Sequence, residues 1–187
     1  MTAAGSEAAA VSTGQRIEAP APGFDSFQVG DVHVSYARTV TQTHLVNFTA
    51  MAGMNLPVFI DHERAAAGTF GEPIAPGFLT ASFSGGMMES VLGRNVMAGL
   101  GMDGFRFHAP VKAGDTLHAE VEIAGKKQTQ DATRGVLTVA MRVINQRGET
   151  VLAYTARVLM KRENEKAPHT LAGGGASDAQ GNQVISV

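Results

Sequence analysis

Apolar residues recur at spacings of three and four between Ile74 and Arg94, and this pattern predicts one long helix, IAPGFLTASFSGGMMESVLGR. Almost no polar face interrupts the pattern, so we expect the helix to be buried on most of its sides. Pro76 falls before or within the first turn, where its missing N–H costs nothing. Gly85 and Gly86 each weaken a helix by about 1 kcal/mol relative to Ala, so we expect close backbone packing at this pair.

The residues after this helix alternate between apolar and polar side chains, which is typical of half-buried strands. Polar stretches at residues 126–134 and 145–148 indicate the turns that join successive strands. The pattern predicts four strands in this half of the chain, Val96–His108, Leu117–Ile123, Val136–Ile144 and Val151–Met160.

Shorter elements precede the long helix. A strand-like stretch covers residues 24–40, and one of the two threonines that follow can cap the short helix His44–Ala52, which Gly53 ends. The next segment, MNLPVFI, is expected to be extended because Pro57 restricts the residue before it. Asp61 is then predicted to be the N-cap of another short helix.

One buried helix wrapped by one curved antiparallel sheet is the architecture that these elements predict. A chain of 187 residues fits one α+β domain, which we place at residues 24–162. Residues 1–23 and 163–187 are rich in Ala, Gly and polar residues and have no period, so we expect a disordered arm and a disordered tail there.

Composition narrows the classes of function. A net charge of −2 gives no reason to expect a nucleic-acid or anionic-membrane partner, and no apolar run approaches the roughly 18 residues of a membrane span. The absence of Cys excludes disulfides and thiol chemistry and makes a zinc site less favourable, so we predict no metal and no cofactor. The N-terminus lacks the basic and apolar regions of a secretory signal, and we expect a cytoplasmic protein.

Two stretches carry a family resemblance. Ile74–Ala75–Pro76–Gly77–Phe78 opens the long helix, and GMDGFRFHAPVKAGDTL follows at residues 101–117. In these motifs the chain resembles the MaoC-like hydratases and dehydratases, which include the (R)-specific enoyl-CoA hydratases. The resemblance covers residues 24–162 and implies a hot dog fold, a small-molecule acyl thioester as substrate, and domains that pair so that the pocket lies at the shared interface.

This chain aligns with the catalytic segment of that family without a gap, but it lacks the family's acid and base side chains. Such hydratases carry Gly–Asp–x–Asn–Pro–x–His and a second Asp two residues later, and here Gly53, Pro57 and Asp61 keep the register without a gap. Met54 stands at the position of the family's Asp, and Phe59 stands at the position of its His. Neither side chain can transfer a proton, so the acid–base mechanism implied by the resemblance cannot run on this pair.

The part of the site that binds the thioester carbonyl is expected to survive. The resemblance implies that backbone N–H groups at the start of the long helix hold this oxygen, and Gly77 is the matching position. Pro76 supplies no N–H, and the side chain of Asn55 can hydrogen-bond a carbonyl or a water but cannot act as a base. The predicted substrate-binding residues are Met54, Asn55, Phe59, Gly77 and Phe78.

For several other polar residues, a structural role competes with a functional one. His44 is the first candidate for a substitute acid or base, although a lone His is more often structural or exposed. Glu89 is the one carboxylate on the long helix that a thioesterase of this fold could use. Lys126, Lys127 and Arg134 form a basic group that could meet CoA phosphates, although a solvated turn is the simpler interpretation.

Three functions remain open at this point. The leading hypothesis is a protein of the MaoC-like class that handles an acyl thioester, with the acyl group carried on CoA or on a carrier protein. Its altered site would act by binding and orientation, as a lyase or isomerase. The alternative is a non-catalytic subunit of a hetero-oligomeric hydratase, and the third is a hot dog thioesterase. In each case we expect a homodimer or a heterodimer with a hot dog relative.

Overall fold

The computed structural model of the protein describes residues 21–162. The predicted tail lies wholly outside this range, and so does the predicted arm except for residues 21–23. Ala21 and Pro22 are held by Asn95, whose side-chain nitrogen donates to their carbonyl oxygens at 3.0 and 3.1 Å. These contacts place the two residues against the domain, just before the predicted boundary at residue 24.

Six strands of the described residues form one antiparallel sheet: β1 (Val32–Val34), β2 (Arg38–Thr39), β3 (Val96–Phe107), β4 (Thr116–Gln128), β5 (Arg134–Asn145) and β6 (Thr150–Lys161). Their order in the sheet is β1-β4-β5-β6-β3, and β2 pairs with β4 beside β1. The four predicted long strands are all present, but β4 continues past the predicted end at Ile123 to Gln128, because residues 126–128 still pair with β5. Within residues 21–162, β3 pairs with β6 alone and forms one edge of the sheet.

Four helices complete the described domain, α1 (Gln42–Ala52), α2 (Pro57–Ile60), α3 (His62–Ala66) and α4 (Gly77–Leu92). The predicted end of α1 at Ala52 is confirmed, and Gly53 follows it in the left-handed conformation at φ 66°. The helix begins at Gln42, two residues before the predicted His44, because Thr41 and not Thr43 caps its first turn. Asp61 caps α3 as predicted and accepts from the Arg64 N–H at 3.0 Å. The segment MNLPVFI is not extended throughout, since Pro57 opens the short helix α2, where its fixed φ is already helical.

The long helix α4 packs its apolar face on the inner face of the sheet. It begins at Gly77 instead of Ile74, because the Ala75 N–H donates to the Val111 carbonyl at 2.7 Å and holds the preceding residues extended. Leu92 is fully buried. The core that α4 forms with the sheet includes Leu79, Phe83, Met87, Leu117, Val121, Val139, Leu152 and Val158.

The opposite face of α4 is open in the single chain, which corrects one expectation. Phe78, Ser82, Gly86 and Glu89 are exposed at helical spacing, so the helix is not buried on most of its sides. A Cβ added at Gly85 or Gly86 would meet nothing within 4 Å. The prediction of close packing at this glycine pair is therefore wrong, because the pair faces away from the sheet.

The apolar residues of β1 also face outward. Val32 pairs with Glu122 and Val34 with Glu120, so their side chains share the outer face of the sheet with these carboxylates. Val34 is 63% exposed, whereas Ser35 is buried and its hydroxyl oxygen accepts from the Ala119 N–H at 2.9 Å. Within residues 21–162, no helix is long and apolar enough to cross a membrane.

Candidate active site

The candidate site lies where the end of α1 and the short helix α2 approach the start of α4. The N–H groups of Gly53 and Met54 both reach the Thr49 carbonyl, so the chain leaves α1 in a tight turn. The Ile74 N–H donates to the Val58 carbonyl at 3.2 Å. This bond joins the two segments that carry the family motifs.

The start of α4 offers two unused hydrogen-bond donors. Helix geometry leaves the first N–H groups of any helix without an intrahelical acceptor. The N–H groups of Gly77 and Phe78 also find no acceptor elsewhere in residues 21–162, whereas the next N–H, that of Leu79, donates to the Pro76 carbonyl at 2.9 Å. A carbonyl oxygen with developing negative charge is the ligand that such a pair of donors suits.

The Phe107 ring of β3 covers Gly77. A Cβ at position 77 would lie 2.8 Å from the Cζ atom of this ring, so no side chain larger than hydrogen fits without displacement. Behind Phe107 the ring of Phe105 stacks on Tyr154 with 4.4 Å between centroids. Burial raises the pKa of Tyr154, and its 2.9 Å hydrogen bond to the Ser84 hydroxyl acts in the opposite direction.

The predicted substrate-binding residues differ in exposure. Met54 and Phe59 are half-buried, Asn55 is exposed, and Phe78 is 67% exposed. Residues 53–60 contain no titratable side chain. The Asp61 carboxylate, next along the chain, is engaged at the N-terminus of α3. The segment in which the family resemblance implies an acid and a base therefore holds no group able to transfer a proton at neutral pH.

His44 lies at the far end of α1 from this segment. From His44 to Ala52 the helix is about 12 Å long at about 1.5 Å per residue. The His44 Nδ1 accepts from the Thr41 N–H at 2.9 Å, and the Thr41 hydroxyl oxygen accepts from the His44 N–H at 3.3 Å. This reciprocal capping box gives His44 a structural role, and nothing in the geometry supports the substitute catalytic role.

The other candidates are also separated from the site. Glu89 is exposed in the last turns of α4, about 18 Å along the axis from Gly77. Lys126 donates to the Phe27 carbonyl and lies 4.5 Å over the Phe24 ring, while Arg134 pairs with Asp131 at 3.1 Å. These contacts fix Lys126 and Arg134 to the hairpin, which favours a structural role for both over binding of CoA phosphates.

Two cavities open near these elements. One of about 470 Å³ lies beside α2 and α3 and is mostly apolar, with Leu56, Pro57, Val58, Arg64 and Phe70 among its lining residues. The other, of about 530 Å³, is lined by charged groups that include Lys112, Asp115 and Arg147. Met54, Phe59 and Gly77 line neither cavity. Among residues 21–162, no group of three or more His, Asp or Glu side chains could hold a metal ion.

Asp115 anchors the wall of the charged cavity. Its carboxylate accepts from the Gln146 amide at 2.7 Å, the Lys112 N–H at 2.9 Å and the Arg147 guanidinium at 2.9 Å. Burial opposes ionisation of this side chain, but the hydrogen bonds and the Arg147 charge outweigh it, and the pKa of Asp115 falls below its usual 3.8. The network joins two turns of the sheet and is structural.

Two contacts near the site were not predicted from the sequence. Phe107 covers Gly77, and Arg38 contacts Phe83. The guanidinium carbon of Arg38 lies 4.6 Å from the centroid of the Phe83 ring. The Phe–x–x–Pro spacing before Val111 was available as a signal for Phe107. Nothing in the sequence points from β2 to the middle of α4, because that contact depends on how the two elements pack.

Comparison with known proteins gives a consistent result. The sequence profile described as MaoC like domain matches residues 27–145. The β-methylmalyl-CoA dehydratase of Chloroflexus aurantiacus is 30% identical over 149 residues, which are 78% of this chain and 42% of that protein. This chain likewise spans less than half the length of two further curated relatives.

Solved structures agree with the observed fold. The unliganded R-hydratase PhaJ1 of Pseudomonas aeruginosa is 31% identical, with a TM-score of 0.65 over 76% of this chain and 86% of that one. A Mycobacterium tuberculosis protein with a double hot dog fold gives a TM-score of 0.71 at 23% identity, over 79% of this chain and 46% of that one. The predicted hot dog architecture is confirmed by these similarities.

Proposed function

The chain belongs to the MaoC-like domain family of hydratases and dehydratases, and from that premise we propose that it binds an acyl thioester at the start of α4 in an altered active site. The observation that carries the proposal is the pair of unused N–H donors at Gly77 and Phe78, beside a segment without proton-transfer groups. These two N–H groups donate to the thioester carbonyl oxygen. The acyl group then lies against the half-buried side chains of Met54 and Phe59.

The chemistry proposed for this site is binding and orientation. Hydration of an enoyl thioester needs one group to activate water and one to protonate the α-carbon, and each such group contributes on the order of 10²–10⁴-fold. Met54 and Phe59 contribute neither, so ordinary enoyl-CoA hydration is not the proposed reaction. Polarisation of the carbonyl by two N–H groups remains, and it favours a lyase or isomerase step in which the substrate supplies its own proton acceptor.

The alternative function is that of a non-catalytic subunit paired with an active relative. The β3 edge supports a partner of either kind, because its outer side bonds to no strand within residues 21–162. Apolar side chains on this edge strand, Met97, Leu100, Met102 and Phe107, are 44–53% exposed. A long apolar edge strand is normally covered by a second chain, and we propose a homodimer or a heterodimer with another hot dog domain through this edge.

Two measurements test the proposal. Saturated and unsaturated short acyl-CoAs, each with a thioester carbonyl, should raise the melting temperature of the full chain, whereas CoA without an acyl group should raise it less. Turnover of crotonyl-CoA should stay far below the roughly 1–10³ per second of ordinary enzymes. A chain that binds no acyl-CoA contradicts the proposed function. Rapid hydration would contradict the altered mechanism.

A further inference from the structure

Arg38 on β2 has no ionic partner within residues 21–162 and stacks instead on an aromatic ring. Its guanidinium carbon lies 4.6 Å from the centroid of Phe83, a ring that is only 8% exposed, while Arg38 itself is exposed. A guanidinium stacked on a ring loses part of its conformational freedom before any ligand arrives. In residues 21–162 no carboxylate lies within 4.0 Å of Arg38, whereas Arg157, also exposed, pairs with Asp103 at 3.0 Å.

His44 packs on the same ring and turns one nitrogen toward Arg38. The imidazole lies edge-on to Phe83 with 5.0 Å between centroids. Its Nδ1 accepts the Thr41 N–H, so in the neutral ring the proton must reside on Nε2. The Nε2 atom is 3.5 Å from the Arg38 Nη2.

Two donors therefore face the same point. A protonated Nε2 cannot accept from a guanidinium, so the 3.5 Å approach of these two nitrogens satisfies neither of them. Nothing else in the described chain accepts from the Arg38 guanidinium. An oxyanion that places oxygens against both nitrogens would resolve the conflict and neutralise the unpaired charge.

We propose that Arg38 and His44, mounted on Phe83, form a binding site for a phosphoryl group. The planar fork of a guanidinium suits phosphate oxygens, and the imidazole N–H adds a second donor from another element of the fold. The phosphoryl group could be free phosphate or a phosphate ester of a larger ligand such as CoA. This site is independent of the thioester proposal, because inorganic phosphate alone is its first probe.

The experiment follows the ring nitrogens of His44 by NMR in the full chain while inorganic phosphate is added. Sodium chloride at matched ionic strength is the control for screening. We expect the Nε2-protonated tautomer in the free protein and a saturable shift at Nε2, with a dissociation constant on the order of 1 mM. Arg38→Ala should weaken binding about tenfold or more, and Arg157→Ala, which removes an exposed cation elsewhere, should leave it unchanged.

Titrations of the same protein with CoA and dephospho-CoA identify the source of the phosphoryl group. CoA that binds at least about tenfold more tightly than phosphate, with the gain lost in dephospho-CoA, would assign the site to the CoA ribose phosphate. Equal affinities for phosphate and CoA would assign it to free phosphate. An Nδ1-protonated ring, no saturable shift with phosphate, or an equal shift in Arg38→Ala would each overturn the proposal.

Discussion

The Phe107 ring lies against the backbone of Gly77 so closely that a Cβ at position 77 would come within 2.8 Å of its Cζ atom. Phe107 belongs to the edge strand β3 and Gly77 opens the central helix, so this contact joins the exposed edge of the sheet to the proposed carbonyl site. A displacement of either element would therefore change the packing between them. While the Phe107 ring stays in place, position 77 has room only for the hydrogen of glycine.

Gly77→Ala should destabilise the protein by about 1 kcal/mol, because the added methyl group must displace the half-exposed Phe107 ring. Denaturant unfolding followed by circular dichroism measures the change. Gly85→Ala is the matched control on the same helix, since a Cβ there meets nothing within 4 Å. This control should stabilise by about 0.5–1 kcal/mol, and equal effects of the two substitutions would contradict the steric explanation.

His44→Ala should lower stability by about 1 kcal/mol, because the Thr41 N–H loses its acceptor and the Phe83 ring loses an edge contact. Unfolding in urea measures the loss. His62→Ala is the control, since His62 is exposed and its ring has one long contact, 3.5 Å to Gln42. A His44→Ala variant as stable as the parent would remove the capping role assigned to this residue.

Asp115 should make the protein less stable in acid. Because the folded-state pKa lies below the usual 3.8, the carboxylate contributes stability above that pH, and the contribution is lost as the pH falls through the lower folded-state value. Asp115→Asn should cost about 2 kcal/mol at neutral pH and flatten the fall in stability below about pH 4. Unfolding curves between neutral and acidic pH test this. Asp103→Asn, at an exposed ion pair, should change neither quantity measurably.

Local signals in the sequence were sufficient for elements whose ends are fixed by neighbouring residues. Thr41 and Gly53 set the limits of α1, and Asp61 sets the start of α3, because caps act within a few residues of the backbone that they satisfy. Alternation of apolar and polar side chains, which is also a local signal, was sufficient to predict the four long strands. The local signal was misleading at Pro57, because Leu56 is extended as expected but the proline itself begins a helical turn.

Burial was harder to predict, because it depends on which surface each residue faces. The apolar pattern of β1 suggests an inner face, yet the register Val32–Glu122 turns Val32 and Val34 outward. Gly85 and Gly86 face away from the sheet for a similar reason. The roles of Met54, Asn55 and Phe59 in substrate binding stay predictions, since they require a ligand and a partner.

Charge placed on the β3 edge should block the proposed pairing of domains. Leu100 is 52% exposed, and Leu100→Asp would bury an unpaired carboxylate in an edge-to-edge interface. We expect a dimer for the parent chain and a monomer for this variant in light scattering at micromolar concentration. Val34→Asp, at an apolar position on the sheet's outer face that is 63% exposed, should leave the dimer intact. A parent chain that is itself monomeric would contradict the proposed interface.

Restoring the family's residues separates a working apolar pocket from a decayed one. If Met54 and Phe59 shape a bound acyl group, the double variant Met54→Asp and Phe59→His places polar groups against it. Desolvating such groups without partners costs a few kcal/mol, so acyl-CoA binding should weaken by about tenfold or more with no gain of hydration. We expect this outcome, because a side chain as bulky as Phe59 favours a pocket that still binds a ligand over a site without function.

The control for this variant is Met51→Asp with Ile60→His, which adds the same groups at exposed neighbouring positions. Binding is read from the melting shift with acyl-CoA, and hydration from loss of crotonyl-CoA absorbance. In a decayed site the pocket would keep its old shape around Gly77 and Phe78, and the restored acid and base could again act on a bound enoyl thioester. Recovered hydration, together with no melting shift of the parent chain by any acyl-CoA, would therefore replace the proposed function with that of a silent subunit.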